Sequence, residues 1–209
     1  MISWRYKINM KDKLNFDFKK YSEVFLEENF KHNLISKNDE KFLYEKHVYD
    51  SLSISRFFDK YKINSAKILD IGCGGGFPCV PVALQYKDFQ ITGIDSIQKK
   101  INAVSEIKQK LDIENLELIA DRVENLKGIK FDIITSRAVA TLSKCLEYAL
   151  PILKEDGYFV AYKSKKADEE IKDAEKILKK HNAKVIDIID YTLPLEEVYE
   201  RKLVCVKKL

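Results

Sequence analysis

A glycine-rich turn limits the possible folds of this chain more than any other segment does. Residues 70–78 read D-I-G-C-G-G-G-F-P, with glycine at the alternate positions Gly72, Gly74 and Gly76, and the apolar segment 67–71 leads into them. Glycine reaches backbone angles that other residues avoid, and it lets a ligand press against the main chain. Such a turn between a strand and a helix predicts a binding crevice at the carboxyl end of the strand.

From residue 66 onward, short apolar segments alternate with charged segments of helical periodicity, such as 97–111. The segments predicted as strands are 67–71, 89–94, 116–120, 131–136 and 157–162, followed by 184–189 and 202–206 on either side of Leu193-Pro194. Strands that alternate with helices form βαβ units with right-handed crossovers. We therefore predict an α/β fold with a mainly parallel seven-stranded sheet, one antiparallel strand near its end, and helices on both faces.

The first third of the chain has helical periodicity instead. Apolar residues fall at helix-like spacing in two groups, which are Phe16, Tyr21, Val24, Phe25 and Phe30, then Phe42, Leu43, Val48, Leu52, Phe57 and Phe58. We predict that residues 1–65 form an N-terminal helical cap on an α/β domain of residues 66–209, and that the two make one compact unit.

Composition limits the class of protein. With 45% hydrophobic and 33% charged residues, the chain is typical of soluble globular proteins, and no apolar run approaches the roughly 20 residues of a membrane span. The four cysteines are scattered, which argues against a structural zinc site and favours reduced thiols. The net charge of +4 permits a polyanionic partner without requiring one. We expect a cytoplasmic monomer without a metal or a membrane contact.

Two common nucleotide-binding motifs do not fit the turn. A dinucleotide fingerprint needs a third glycine where this chain has Phe77, and a Walker loop needs Gly-Lys-Ser/Thr in place of Phe77-Pro78. What remains is Gly-x-Gly-x-Gly with Asp70 two residues upstream, which resembles the first motif of class I S-adenosylmethionine-dependent methyltransferases. Asp70 and the three glycines are therefore candidate cofactor-binding residues. A nicotinamide oxidoreductase is the alternative enzyme, and Phe77 argues against it.

The second candidate anchor is Asp95, directly after the segment 89–94. A carboxylate there can accept hydrogen bonds from both ribose hydroxyls of an adenosine ligand. The alternative role is to cap the next helix, as Asp and Ser often do. Ser96 can take that role and leave Asp95 for the ribose, and both Asp95 and Ser96 are candidate cofactor-binding residues. The charged stretch 121–124, after the third strand, is weaker evidence for an adenine site.

These residues and several others resemble one family, the bacterial 16S ribosomal RNA guanine-N7 methyltransferases, also called glucose-inhibited division protein B. The resemblance extends from about Asn33 to the C-terminus. It rests on the segments 33–34, 47–51, 70–81, 95–100, 122–124, 136–138, 151–163 and 200–201. Pro78 and Pro81 are unusual after the glycines of methyltransferases in general, and they make the resemblance more specific.

The resemblance implies that S-adenosylmethionine is the cofactor and that it contacts Gly72, Phe77, Val123, Glu124 and Arg137. It implies a guanine of 16S ribosomal RNA as substrate, presented as RNA or in the small ribosomal subunit. Guanine N7 has a lone pair and no proton, so methyl transfer needs positioning of the reactants and no general base. We expect Arg137 to hold the methionine carboxylate or an RNA phosphate. A surface salt bridge is its alternative role.

Candidate RNA contacts are His47, Asp50, Lys99, Lys100 and Lys163. His47 and Asp50 lie about one helical turn apart and can share a face, where they would support the RNA or form a hydrogen-bonded pair with the core. The lysines follow predicted strand ends, where they can track phosphates. A solvated charged surface is the alternative for them. The non-enzymatic hypothesis is a ribosome-binding module that retains a cofactor fold.

Overall fold

A sheet of seven strands forms the centre of the molecule in a computed structural model, which describes residues 14–209. Its strands are β1 (Lys67–Ile71), β2 (Gln90–Asp95), β3 (Leu116–Ala120), β4 (Phe131–Arg137), β5 (Leu153–Lys163), β6 (Ala183–Leu193) and β7 (Tyr199–Lys208). They lie in the order β3-β2-β1-β4-β5-β7-β6. The first five strands pair in parallel, and β7 is antiparallel to both neighbours. The predicted mainly parallel sheet is confirmed.

Helices cover both faces of this sheet. The helical segments before β1 are α1 (Phe18–His32), α2 (Lys37–Glu40), a π-helix (Leu43–Val48), α3 (Tyr49–Leu52) and α4 (Ser55–Tyr61). The later helices are α5 (Cys79–Gln85), α6 (Gln98–Lys110), α7 (Leu142–Ala149), α8 (Ala167–Asp173) and α9 (Glu175–Lys180), with short 3-10 turns at Val123–Asn125 and Leu150–Ile152. Residues 1–13 of the predicted cap lie outside the described residues. Between residues 14 and 209, no helix has both the length and the apolar character to cross a bilayer.

The apolar side chains of the strands form two buried clusters, one on each face of the sheet, because successive residues of a strand point to opposite faces. Ile68 belongs to the cluster that contains Phe25 and Phe57 of the cap. Leu69 belongs to the cluster that contains Leu146 of α7. The cap therefore shares one core with the sheet.

Three strands are longer than the apolar pattern predicts. β5 begins at Leu153 rather than at residue 157, β6 continues to Leu193, and β7 begins at Tyr199. The additional residues are largely polar and solvent-exposed. Those of β6 and β7 extend the sheet through backbone hydrogen bonds at and next to an edge, where polar side chains are tolerated. Hydrophobic periodicity cannot detect such residues.

Helix α1 departs from its predicted apolar face. Tyr21 and Phe25 are buried, but Phe30, predicted on the same face, is 80% exposed. A residue five positions after Phe25 lies about 140° around the helix from it. Glu28 occupies the buried side instead, in an ion pair of 2.9 Å with Lys110 of α6. This ion pair fastens the cap to the helix that follows β2.

Candidate active site

The glycine turn leaves β1 with its backbone in the left-handed region. Gly72, Gly74 and Gly76 have φ angles of 67°, 55° and 89°, which favour glycine over residues with a side chain. A Cβ atom at Gly72 would lie 2.5 Å from Cγ2 of Val139, and one at Gly76 would lie 2.7 Å from Cγ2 of Val80. Glycine is therefore required at position 72 by the loop between β4 and α7, and at position 76 by the packing of α5.

Asp95 at the end of β2 links two turns through its carboxylate. Oδ2 accepts a hydrogen bond from the Gly74 N–H (3.0 Å), and Oδ1 accepts one from the Ile97 N–H (2.9 Å). The prediction that Ser96 caps the next helix is wrong, because α6 begins without a side-chain cap and Asp95 itself takes the Ile97 N–H. The carboxylate holds the glycine turn, and its remaining lone pairs can still accept from a ligand hydroxyl.

Two cavities open at this end of the sheet and meet at Gly72, Asp95 and Val139, which line both of them. The smaller cavity, of about 250 Å³, also contains three predicted residues, Ser96, Val123 and Glu124. The larger cavity, of about 510 Å³, lies between the glycine turn and the cap. The predicted residues that line it are Gly72, Gly74, Phe77, Asp95, Arg137, His47, Asp50 and Lys100. The structure thus gathers most of the predicted residues around one crevice.

Asp70 lines neither cavity. Its carboxylate lies beneath the turn, where Oδ1 accepts from the Thr135 hydroxyl (3.0 Å) and Oδ2 accepts from the Cys79 N–H (3.3 Å). Burial raises the pKa of Asp70 to about 7. The predicted contact between Asp70 and the cofactor therefore disagrees with the structure, since this side chain joins β1, β4 and α5 from below. Gly76 also lines neither cavity, because it faces Val80.

Arg137 at the end of β4 is held against the cap. Its Nη1 donates to Oδ2 of Asp50 (3.0 Å) and to the Lys46 carbonyl (3.2 Å). Its guanidinium carbon lies 5.1 Å from the centre of the Phe77 ring, within the range of a cation–π interaction. Arg137 is therefore not a surface salt bridge. It is a largely buried cation fixed at the wall of the larger cavity.

His47 lies beside this arginine. Its Nδ1 is 3.3 Å from Nη2 of Arg137, and its ring centroid is 4.9 Å from that of Phe77. Because a guanidinium only donates hydrogen bonds, Nδ1 accepts and the neutral ring carries its proton on Nε2. Burial, and secondarily Arg137, lower the pKa of His47 to about 4. A neutral imidazole can lie against Arg137 without repulsion.

Asp50 is the centre of the hydrogen-bond network under the larger cavity. Besides Arg137, its carboxylate accepts from Nε and Nη2 of Arg201 (3.2 and 3.0 Å) and from the Tyr191 hydroxyl (2.6 Å). The side chain is buried. The prediction that Asp50 contacts RNA directly disagrees with this burial and with its four bonds to protein donors. The alternative, a hydrogen-bonded group of the core, describes it better.

The predicted lysines differ in their surroundings. Lys163 lines neither cavity, because its ammonium donates to the Ala140 carbonyl (2.9 Å) and to Oε2 of Glu170 (2.7 Å). It therefore fixes the loop after β4, which disagrees with a direct RNA contact. Lys99 is exposed outside both cavities, and Lys100 lines the larger one. An RNA contact by Lys99 and Lys100 stays a prediction.

Among the residues around the crevice that had no predicted role are Val139, Tyr191, Tyr199 and Arg201. The pair Glu200-Arg201 entered the family resemblance, which was the available signal for Arg201. The other three carry no local motif, and only the packing of β6, of β7 and of the β4–α7 loop brings them to the crevice.

Within residues 14–209, no group of three or more histidine, cysteine or acidic side chains has a spacing that could hold a metal ion. The four cysteines are free and buried.

Comparison with known proteins places the geometry in context. A family model described as rRNA small subunit methyltransferase G matches residues 14–199. The ribosomal RNA small subunit methyltransferase G of Staphylococcus saprophyticus is 36% identical over 205 residues, which cover 96% of this chain and 84% of that protein. The protein of the same name from Bacillus licheniformis is 37% identical over 196 residues, covering 91% of this chain and 81% of that protein.

Solved structures of lower identity share the fold. Coclaurine N-methyltransferase bound to N-methylheliamine and SAH has a TM-score of 0.56 at 11% identity, covering 76% of this chain and 72% of that chain. M. jannaschii TYW2 in complex with AdoMet has a TM-score of 0.59 at 15% identity, covering 77% of each chain. The predicted class I S-adenosylmethionine-dependent methyltransferase fold is therefore confirmed.

Proposed function

The chain belongs to the family of rRNA small subunit methyltransferase G, and from this premise we propose that it transfers a methyl group from S-adenosylmethionine to N7 of a guanine in 16S ribosomal RNA. The observation that carries the proposal is the pair of cavities that meet over Gly72 and Asp95. One ligand can extend through both, with its ribose at the junction.

The residues of the crevice fit S-adenosylmethionine part by part. Asp95 would accept from the ribose hydroxyls, and the smaller cavity beside Val123 and Glu124 would take the adenine. The methionine part would extend over the glycine turn toward Phe77 in the larger cavity. When bound, S-adenosylmethionine supplies an activated methyl group on a sulfonium ion.

The role of the protein's own side chains in catalysis is to position the cofactor and the guanine. Guanine N7 already carries a free lone pair, so no side chain has to remove a proton before methyl transfer. Arg137, fixed by Asp50 and Phe77, would hold the methionine carboxylate in one orientation. His47 remains neutral at physiological pH, because its pKa lies near 4, and it supports the arginine without adding charge. Catalysis would then depend on alignment of the two reactants.

We further propose that the protein works as a monomer in the cytoplasm, on 16S ribosomal RNA or on the small subunit that contains it. Contacts between the cap and the sheet, such as the Tyr162 hydroxyl on the Ser51 carbonyl (2.6 Å), support one working unit of residues 14–209.

Two experiments test this function. Calorimetry with S-adenosylmethionine and with NAD separates a methyltransferase from an oxidoreductase, because the two cofactors need glycine turns of different sequence. Binding of NAD alone would favour the oxidoreductase, and binding of neither would favour a ribosome-binding module. Mapping of N7-methylguanine in ribosomal RNA, from cells with and without the protein, tests the substrate. If the deletion removes no modified guanine, the substrate assignment is wrong.

A further inference from the structure

The first residues of β7 supply two different chemical groups to the wall of the larger cavity. Tyr199 and Arg201 both line it, and residues two positions apart in a strand share a face. Tyr199 is 50% exposed, so much of its ring is free to contact a ligand in the cavity. Neither residue has a part in the cofactor site described above.

The charges of this part of the cavity do not balance. Arg137 and Arg201 share the single carboxylate of Asp50. Lys46 has Asp39 as its own partner at 2.7 Å, and Lys100 and Asp95 add one charge of each sign to the lining. His47 is neutral, and burial raises the pKa of Tyr191, so neither side chain contributes to the net charge of the cavity wall. One guanidinium charge is left without a protein counter-ion, and S-adenosylmethionine, whose own net charge is positive, does not cancel it.

Arg201 is the better placed of the two arginines to receive an anion. Arg137 uses Nη1 on Asp50 and Lys46, and Nη2 on His47. Arg201 meets Asp50 through Nε and Nη2 and lies beside the Tyr191 hydroxyl, and its bidentate pair with Asp50 leaves both hydrogens of Nη1 outside that pair. A planar donor pair beside an exposed aromatic ring suits a phosphate next to a base.

We propose that Tyr199 and Arg201 form the subsite for the target nucleotide, with Tyr199 stacked on the guanine that is methylated and Arg201 bound to a phosphate beside it. The proposal rests on the proposed function. A base must leave its stack to enter a pocket, and an aromatic side chain compensates for the lost stacking. Leu34 and Ile35 of the cap add apolar lining to the same cavity. The Ile35 N–H is fixed by Oδ1 of Asn29 at 2.8 Å.

The test measures methylation of small ribosomal subunits purified from cells that lack the protein, together with S-adenosylmethionine affinity. Tyr199→Ala should raise KM for the subunit about tenfold or more and leave the affinity for S-adenosylmethionine within about twofold. Tyr199→Phe keeps the ring and should restore KM. The matched control is Val198→Ala, which removes a neighbouring side chain that is 79% exposed and outside the cavity lining.

Arg201 is tested through salt dependence. Arg201→Gln should raise KM and lower the slope of log affinity against log salt by about one, whereas Arg201→Lys should keep the slope. The control is Lys202→Gln, which removes a charge from the opposite face of β7, where Lys202 pairs with Asp190 at 2.7 Å. The affinity of each variant for S-adenosylmethionine shows whether it is correctly folded. A variant that binds the cofactor normally but has a raised KM has lost RNA binding, whereas a variant that loses both was disrupted by loss of the Arg201–Asp50 contact.

The outcomes of the two hypotheses differ. A wild-type protein that binds S-adenosylmethionine but methylates no ribosomal RNA would overturn the proposed function, and the subsite with it. A wild-type protein that methylates normally, with unchanged KM in Tyr199→Ala and in Arg201→Gln, would overturn the subsite alone.

Discussion

Nη1 of Arg137 lies 3.0 Å from Oδ2 of Asp50, and this ion pair joins residues 87 positions apart in the chain. It connects the end of β4 to the helical cap. The same carboxylate also receives Arg201 from β7. One buried acid therefore fixes two cations at the wall of the larger cavity. The first effect of its removal should be a lower free energy of unfolding, rather than a slower methyl transfer.

Replacing Asp50 with Asn should destabilise the fold by about 3–5 kcal/mol, because two largely buried guanidinium groups lose their counter-ion. The measurement is the free energy of unfolding in urea. The control is Asp39→Asn, whose ion pair with Lys46 is about one-third exposed and should be worth about 1 kcal/mol or less. Equal losses in the two variants would mean that Asp50 has no special structural role.

Replacing Arg137 with Ala should lower the methylation rate by roughly 100-fold through misplacement of the reactants. The fold should survive, because Asp50 keeps Arg201 and Tyr191 as partners. Steady-state kinetics and circular dichroism test the two parts. The matched control is Arg56→Ala, which removes an arginine that lines neither of the two cavities. Normal turnover in Arg137→Ala would remove this residue from the site.

Replacing Gly72 with Ala should abolish S-adenosylmethionine binding, since the new Cβ would lie 2.5 Å from Val139 at the junction of the two cavities. Gly128→Ala is the control, because Gly128 also has a positive φ of 74° but nothing lies within 4 Å of its Cβ position. The backbone strain, about 1–2 kcal/mol, is common to both variants. Calorimetry should show loss of binding only in Gly72→Ala.

Asp70 should make stability depend on pH. Burial raises its pKa from the model-compound value of 3.8 to about 7, so the folded protein keeps a proton that the unfolded chain releases. This contribution is present below about pH 4 and is lost as pH rises through about 7, with a total on the order of a few kcal/mol. Asp70→Asn keeps the size and removes the titration.

The measurement for Asp70 compares urea unfolding of the wild type and of Asp70→Asn between pH 5 and pH 8. The difference in free energy of unfolding should move in favour of the variant as pH rises. A constant difference across this range would contradict the raised pKa.

Among the lysines, Lys100 and Lys163 should respond differently to neutralisation. Lys100→Gln should lower the salt slope of subunit binding by about one if it contacts a phosphate. Lys163→Gln should leave the slope unchanged, because that ammonium is already paired with Glu170 and the Ala140 carbonyl. Filter binding at several salt concentrations measures both. An unchanged slope in Lys100→Gln would favour a merely solvated lysine.

The order of strands and helices and the place of the crevice follow from the amino-acid sequence alone. The glycine turn, Asp95 and Val123 each lie at or shortly after the carboxyl end of a strand, and the carboxyl ends of parallel strands meet at one edge of a sheet. Local spacing is sufficient for such residues, because the backbone of one βαβ unit positions them.

Which polar side chains face the ligand and which support the fold depends on contacts between distant parts of the chain. Asp70 stands two residues before Gly72, yet its side chain turns beneath the loop toward Thr135. Asp50 meets Arg201 across 151 positions, and no local pattern encodes a contact at that distance. The sequence does not show whether the hydrogen-bond partner of a polar side chain is water, RNA or a buried arginine. The choice is made by long-range packing, which determines where each charge finds its partner.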